Sequence, residues 1–185
     1  MTVLIAVASK HGSTKGIAEA IADEMRSTGI DADVRDIVDV TDVNRYDAVV
    51  LGSAVYMGRW MQEAQRFVET HHEAIAAVPV WLFSSGPLGA DEPKPVGDPQ
   101  GIDQIVAATR ARGHRTFAGR LESSELGLGE RLIVKAVRAP AGDFRDWDAI
   151  RGWAREIGEA LRRETVPAGD GGSPATPVPD GEETP

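Results

Sequence analysis

A chain of 185 residues, 42% hydrophobic and carrying a net charge of −9 at pH 7, is long enough for one α/β domain whose sheet is covered on both faces. It lacks the clustered Lys and Arg that a nucleic-acid backbone demands, so its acidity serves either solubility or the docking of a basic partner. It contains no cysteine, which excludes disulfides, thiol redox chemistry, Cys-ligated zinc and cysteine-bound iron–sulfur clusters; electron chemistry would have to come from a bound cofactor.

Val3 to Ala8 is a continuous apolar run of strand length. It is too short for a membrane span and has no basic flank of the signal-peptide kind, which with the missing cysteines favours the cytoplasm. A turn of small residues follows, and then Ile17, Ala18, Ile21, Ala22 and Met25 recur at helical spacing, with Gly29 placed to end the helix. Ile30, Ala32 and Val34 alternate with Asp31, Asp33 and Arg35, as in a half-exposed edge strand. The stretch from Asp36 to Tyr46 reads as a loop or a short helix.

Ala48 to Leu51 and Val78 to Phe83 are further apolar runs, the pattern of parallel strands buried on both faces. Between them Ala64, Phe67, Val68 and Ile75 form a second helical stripe, and Ile102, Ile105 and Val106 begin a third. Arg115 to Leu121, with Gly119 inside it and charges around it, reads as a second edge strand. Trp147, Ile150, Ala154, Ile157 and Leu161 form the last helix, with Asp146 as N-cap and Pro167 beyond its end. Residues 165–185 are rich in Pro, Gly and acid with little to bury, and are expected to be a disordered tail on a domain of residues 1–164. The alternation of strand and helix predicts a doubly wound parallel sheet in an α/β/α sandwich.

In such a sheet a ligand lies beyond the carboxyl ends of the strands, where the strand order reverses. Three loops occupy that edge. In the first, Ser9, Lys10, His11, Gly12, Ser13 and Thr14 combine hydroxyls, a tight turn and a helix N-terminus, which together suit a terminal phosphate; a plain strand-to-helix turn would look similar. The run matches neither the nucleotide-hydrolase loop nor the GxGxxG dinucleotide fingerprint. In the second, Ala54, Val55, Tyr56, Met57 and Gly58 let a flat ring lie against the main chain, with Tyr56 the better ring contact, while Met57 and Trp60 either cover the ring or pack into the core. Arg59 reads as an exposed arginine or as a contact for an anionic substrate. In the third, Ser85, Gly86, Pro87, Leu88 and Gly89 would lend main-chain N–H groups to the ring's edge, or form only a turn. His71 and His72 are adjacent on a helix and diverge, His114 reads as part of a solvated turn, and no metal site or catalytic acid–base residue emerges.

These three loops resemble those of the flavodoxin family, and SKHGST is similar to its phosphate-binding motif, with His11 where Thr is usual; an imidazole N–H can replace the missing hydroxyl. The resemblance spans Met1 through roughly Arg163 and implies flavin mononucleotide (FMN) and a five-stranded sheet in the order 2-1-3-4-5. ASKHGSTKGIAEAIA, LGSAVYMGRWMQEAQRFVETH, GERLIVKAVRAPAGDFRDWDAI and the closing helix resemble more narrowly the quinone-dependent protoporphyrinogen oxidase branch, which also inserts a segment where residues 122–142 intervene here. That resemblance implies electrons passing from a small-molecule reductant, a porphyrinogen, through FMN to a quinone such as menaquinone. The branch's insert is strongly basic, whereas Glu122, Glu125 and Glu130 here offset Arg131, Lys135 and Arg138. Leu128, Leu132, Ile133 and Val137 form either a core face or a peripheral membrane contact within residues 126–138, at the inner face of the membrane. Two alternatives remain: an electron carrier between redox proteins, and a binding module without flavin. The lack of aromatics in SSGPLGADEP favours an enzyme with one open ring face.

Overall fold

A computed structural model describes residues 1–86, 97–121 and 142–165. Pro87, Leu88 and Gly89, the 126–138 face and the tail beyond Thr165 lie outside the described residues. Strands β1 (Thr2–Ala8), β2 (Asp31–Asp36), β3 (Ala48–Tyr56), β5 (Val80–Gly86) and β6 (His114–Ala118) form a parallel sheet in the order β2-β1-β3-β5-β6. Counting the five long strands alone, this is the expected 2-1-3-4-5 order, with the reversal between β1 and β3. A short strand, β4 (Arg59–Trp60), folds back antiparallel on the end of β3.

The apolar runs are continuous because alternate residues feed two cores. Val3, Ile5 and Val7 join Val50 and Phe83 under helices α1 (Ser13–Ser27) and α4 (Trp147–Thr165). Leu4, Ala6 and Ala8 join Val49, Leu51 and Leu82 under α2 (Gln62–Ala76) and α3 (Ile102–Thr109). Gly29, at φ 83°, ends α1 as its sequence position suggested, and Asp146 caps α4 through bonds from the N–H groups of Asp148 (3.1 Å) and Ala149 (2.9 Å). Residues 37–39 form one 3₁₀ turn, so the ambiguous 36–46 stretch contains a short helix. On the exposed edge, Asp33 of β2 accepts from Arg35, Arg45 and Tyr46, and these charges blunt that edge against pairing with another strand.

One expected element is corrected. Arg115 to Leu121 is not a single edge strand: β6 stops at Ala118, and after Gly119 a two-residue strand, β7 (Arg120–Leu121), leaves the sheet to pair antiparallel with β8 (Gly142–Asp143). These two short strands stand at the two ends of the 122–141 insertion.

Gly52 has its own structural reason. A Cβ there would lie 2.1 Å from the Phe83 ring directly opposite in the register, and Phe83 is held by Phe117 and Trp153, with ring centroids 6.3 and 6.2 Å away. Gly52→Ala is therefore expected to lower stability by about 1–3 kcal/mol as an overpacked core, read by calorimetry as a fall in Tm of roughly 3 °C per kcal/mol. An unchanged Tm would contradict the slot.

Candidate functional site

The register brings the three loops together. Ala8, the last residue of β1, pairs with Ser53, and Ala54 pairs with Ser85, so the carboxyl ends of β1, β3 and β5 fall within a few residues of one another at the point where the strand order reverses, with β3 reaching furthest. The first loop then turns into α1 through Gly12, which is left-handed at φ 72° and provides no side-chain cap. The first-turn N–H groups of α1 thus lack a side-chain partner at the helix N-cap. The hydroxyls of this loop differ in their surroundings. Ser9 Oγ is shielded from solvent and has no hydrogen-bond partner, a costly arrangement unless something external completes it. Ser13 Oγ accepts the N–H of Arg120 at 2.7 Å, and Thr14 is buried on the inner side of α1. Lys10 and His11 are also part of this loop, with the Lys10 amine 5.1 Å above the Tyr56 ring, joining the first loop to the second.

In the second loop, Ala54, Val55 and Tyr56 are the partly buried last residues of β3, and Val55 packs on the α2/α3 core, leaving its main chain to the site. Met57 (φ 48°) and Gly58 (φ 78°) connect β3 to β4 with the two positive φ values of a type I′ hairpin. Met57, for which the sequence allows ring cover or core packing, is not in the core: it is 89% exposed and holds a conformation rare for a residue with a side chain. Trp60 takes the other course and is buried. Arg59 is exposed, on β4 and not at a helix start.

The third loop begins with Ser85 and Gly86 at the end of β5, both buried. Behind them sits Gly119, unremarked as a site residue in the sequence: a Cβ there would come within 3.2 Å of both Ser13 Oγ and Ser85 Oγ and 3.3 Å of the Gly86 carbonyl. Its missing side chain lets the first and third loops close on one another. Arg145, also unsuspected, reaches the same place from after the insertion. Its guanidinium pairs with Asp143 (2.5 Å), stacks over Trp147 (4.3 Å) and comes within 3.5 Å of the Ser13 carbonyl. The bond from Arg145 holds the Asp143 carboxyl below the ordinary carboxylate range.

His114 is not in a solvated turn. It opens β6, its side chain 9% exposed, with Nε2 2.7 Å from Ser84 Oγ and Nδ1 3.2 Å from Asp98. Burial pushes its pKa below the ordinary value near 6.5, against the pull of Asp98 and Asp103. The period-two placing of His114 and Thr116 hinted at a strand, but Ser84 lies thirty residues away and no local pattern reveals it. His71 packs on Phe67 and His72 contacts the Glu69 carbonyl. Among the described residues no group of three His, Asp or Glu could hold a metal, and no helix is long and apolar enough to cross a membrane.

A family model described as a flavodoxin domain matches residues 4–148. The chain is 23% identical to protoporphyrinogen IX dehydrogenase (quinone) of Escherichia coli strain K12, covering 90% of this chain and 99% of that protein. Among solved structures it is similar to a flavodoxin from the domain Archaea (TM-score 0.59, 16% identity, 88% of this chain and 99% of that one). It is also similar to rubredoxin oxygen:oxidoreductase from Desulfovibrio gigas (TM-score 0.62, 11% identity, 90% of this chain and 37% of that one).

Gly119→Val should strain the junction of the first and third loops and lower stability by about 1–3 kcal/mol. Gly113→Ala, where a Cβ meets only an ordinary 3.8 Å contact with Trp81, should stay within about 0.5 kcal/mol. Thermal unfolding of the pair checks this, and equal Tm values would remove Gly119 from the site's support.

Proposed function

The chain belongs to the flavodoxin family, and from that premise we propose that it is an FMN-dependent oxidoreductase that takes electrons from a reduced small molecule of the porphyrinogen class and passes them to a quinone-type acceptor. The observation that carries the cofactor reading is the first loop: an orphaned, shielded hydroxyl on Ser9 beside a helix N-terminus that no side chain caps. Such a cradle suits a phosphate, because main-chain N–H groups and a positive helix end attract an anion without needing a cation. When bound, the flavin supplies a redox centre that no side chain of this chain possesses.

The chain's own residues bind and orient. Ser9 and the N–H groups of Lys10, His11, Gly12, Ser13 and Thr14 hold the phosphate. The main chain of Ala54, Val55 and Gly58, with the side chains of Tyr56 and Met57, flanks one face of the ring. Ser85 and Gly86, continued by Pro87, Leu88 and Gly89, supply an edge. Met57 stands exposed at the rim of this site with Arg59 on the neighbouring strand, an apolar and a cationic group suited to a flat, carboxylate-bearing substrate. Similarity along nearly the whole length of the E. coli enzyme supports the porphyrinogen and quinone assignment. The same reading puts the protein in the cytoplasm, with the 126–138 segment meeting the membrane that holds the acceptor.

The purified protein should take up FMN with its visible absorbance bands and oxidise protoporphyrinogen anaerobically with a menaquinone analogue as acceptor. Flavin uptake without turnover would make it an electron carrier between redox proteins. Gly12→Asp should abolish FMN binding yet keep the circular dichroism spectrum. Position 12 has nothing within 4 Å of a Cβ and Asp tolerates a left-handed backbone, so the loss would come from charge; Gly12→Asn should retain most of the affinity. Ser9→Ala should weaken FMN binding by about 1.5–3 kcal/mol, the worth of a hydrogen bond to a charged group, or roughly 10- to 100-fold by titration.

A further inference from the structure

Behind the second loop lies a polar chain, buried from Trp60 to His114, that the cofactor reading does not use. Trp60 Nε1 is 2.7 Å from Ser84 Oγ, which is 2.7 Å from His114 Nε2, and His114 Nδ1 is 3.2 Å from Asp98. One arrangement of hydrogens satisfies it. The indole N–H can only donate, so Ser84 accepts from Trp60 and turns its own hydrogen to His114 Nε2. The imidazole is then neutral, and its Nδ1–H is donated to Asp98. The chain closes into a ring, because the N–H of Gln100, two residues after Asp98, donates to the Gly58 carbonyl at 2.7 Å. The hairpin carrying the strained Met57 is therefore held at both ends, at Gly58 by Gln100 and at Trp60 by Ser84, and His114 links the two grips through its contacts with Ser84 and Asp98.

We propose that His114 is a positioning residue for the flavin: in its neutral form it fixes the Met57–Trp60 hairpin against the ring, and protonation releases it. This rests on the reading that residues 54–58 flank the flavin. A proton on Nε2 converts the acceptor of the Ser84 hydrogen into a donor. Ser84 is fully buried, so its displaced hydrogen has no water to turn to, and Oγ must accept from the imidazole and the indole at once, which weakens its hold on Trp60. The charged groups acting on His114 are Asp98, which contacts it, and Asp103 of α3; Ser84, which meets it from β5, and Trp60, bonded to Ser84 from β4, do not titrate in this range.

The sign follows from burial. His114 is held below its ordinary value near 6.5, so as pH falls through 6.5 the unfolded chain takes the proton first and the native state loses stability down to the folded value. Above that window nothing is lost. The hairpin grip fails at the acid end of the same window.

The test is the FMN dissociation constant of wild type, His114→Gln and Asp98→Asn from pH 5 to 8, with the ¹⁵N–¹H indole resonance of Trp60, assigned from Trp60→Phe, followed without flavin. The FMN phosphate titrates near pH 6 as well and contributes equally in all three proteins, so the difference between profiles is the readout. Wild-type affinity should fall about fivefold more than that of His114→Gln towards acid pH, the loss of one buried hydrogen bond, and the Trp60 indole should move with the same midpoint. Asp98→Asn alters a carboxylate that is 68% exposed and so leaves folding undisturbed; by removing the attraction that favours the charged imidazole it should shift the midpoint to lower pH. That keeps the test intact even if His114→Gln does not fold. Identical profiles in wild type and Asp98→Asn, or a Trp60 resonance that does not titrate, overturn the proposal while FMN binding stands. Failure of wild type to bind FMN at any pH overturns the cofactor reading and this proposal with it.

Discussion

The arrangement depends on the parallel register at one edge of the sheet. Ala8 stands opposite Ser53 and Ala54 opposite Ser85, so three strands end within a few residues of one another and their last and following residues are forced into one another's company. A slip of one residue would invert every side chain of a strand between the two cores. The two cores forbid it, since Val3, Ile5 and Val7 and the intervening Leu4, Ala6 and Ala8 are each packed under different helices. The site is thus positioned by hydrophobic burial remote from it, and the strained residues of its loops sit on a frame that cannot yield to them.

Charge at the site is managed locally and against the net charge of the molecule. A protein at −9 repels an anionic ligand at long range, but that field is screened beyond about 8 Å at physiological ionic strength. Within that distance the uncapped start of α1 and the shielded Ser9 hydroxyl govern. The nearby cation does not contradict this: Arg145 is paired with Asp143 and stacked on Trp147, so it braces the Ser13 carbonyl as half of a neutral pair. The first loop is anchored from outside its own sequence, by Arg120, Arg145 and the absent side chain of Gly119. All three belong to the segments that flank the insertion, and a force on the insertion's ends reaches the first loop through two hydrogen bonds.

What could be read from the residues alone was whatever a local pattern encodes. The apolar runs, the stripes at helical spacing, Gly29 as a stop and Asp146 as a cap each express short-range physics, and each stands in the structure where the spacing put it. The candidate loops were legible as positions at the ends of strands. Their interior was not. Gly119 looked like a weak residue in an edge strand because its reason, the approach of Ser13 and Ser85, comes from 106 and 34 residues away. His114 looked solvated beside Arg115 because Ser84, whose hydroxyl meets its ring, is brought there only by the sheet order. Gly52 was similarly mute: its partner Phe83 is set by register, and no propensity scale records a slot. Met57 is ambiguous in the sequence, ring cover or core, because its apolar side chain suits either, and the hairpin's left-handed backbone puts it in solvent.

Met57 and Trp60 are separated by two residues and have opposite fates, and the reason joins the fold to the chemistry proposed for it. A two-residue hairpin with both central φ values positive matches the right-handed twist of its strands, so it turns the chain sharply without splaying β4 from β3. It can do so with a methionine at the strained position only because the arms are fastened elsewhere. Val55 pairs with Trp60, the Trp60 indole is tied to Ser84, and Gly58 is tied to Gln100. With the arms fixed, the tip projects Met57 into solvent beside Tyr56, an apolar, polarizable side chain held at the mouth of the site and not collapsed into it. A looser hairpin would bury Met57 on the nearest apolar surface and close the face assigned to the proposed substrate. The open side of the site is therefore maintained by bonds made beneath it, in the same chain that runs from Trp60 through Ser84 to His114.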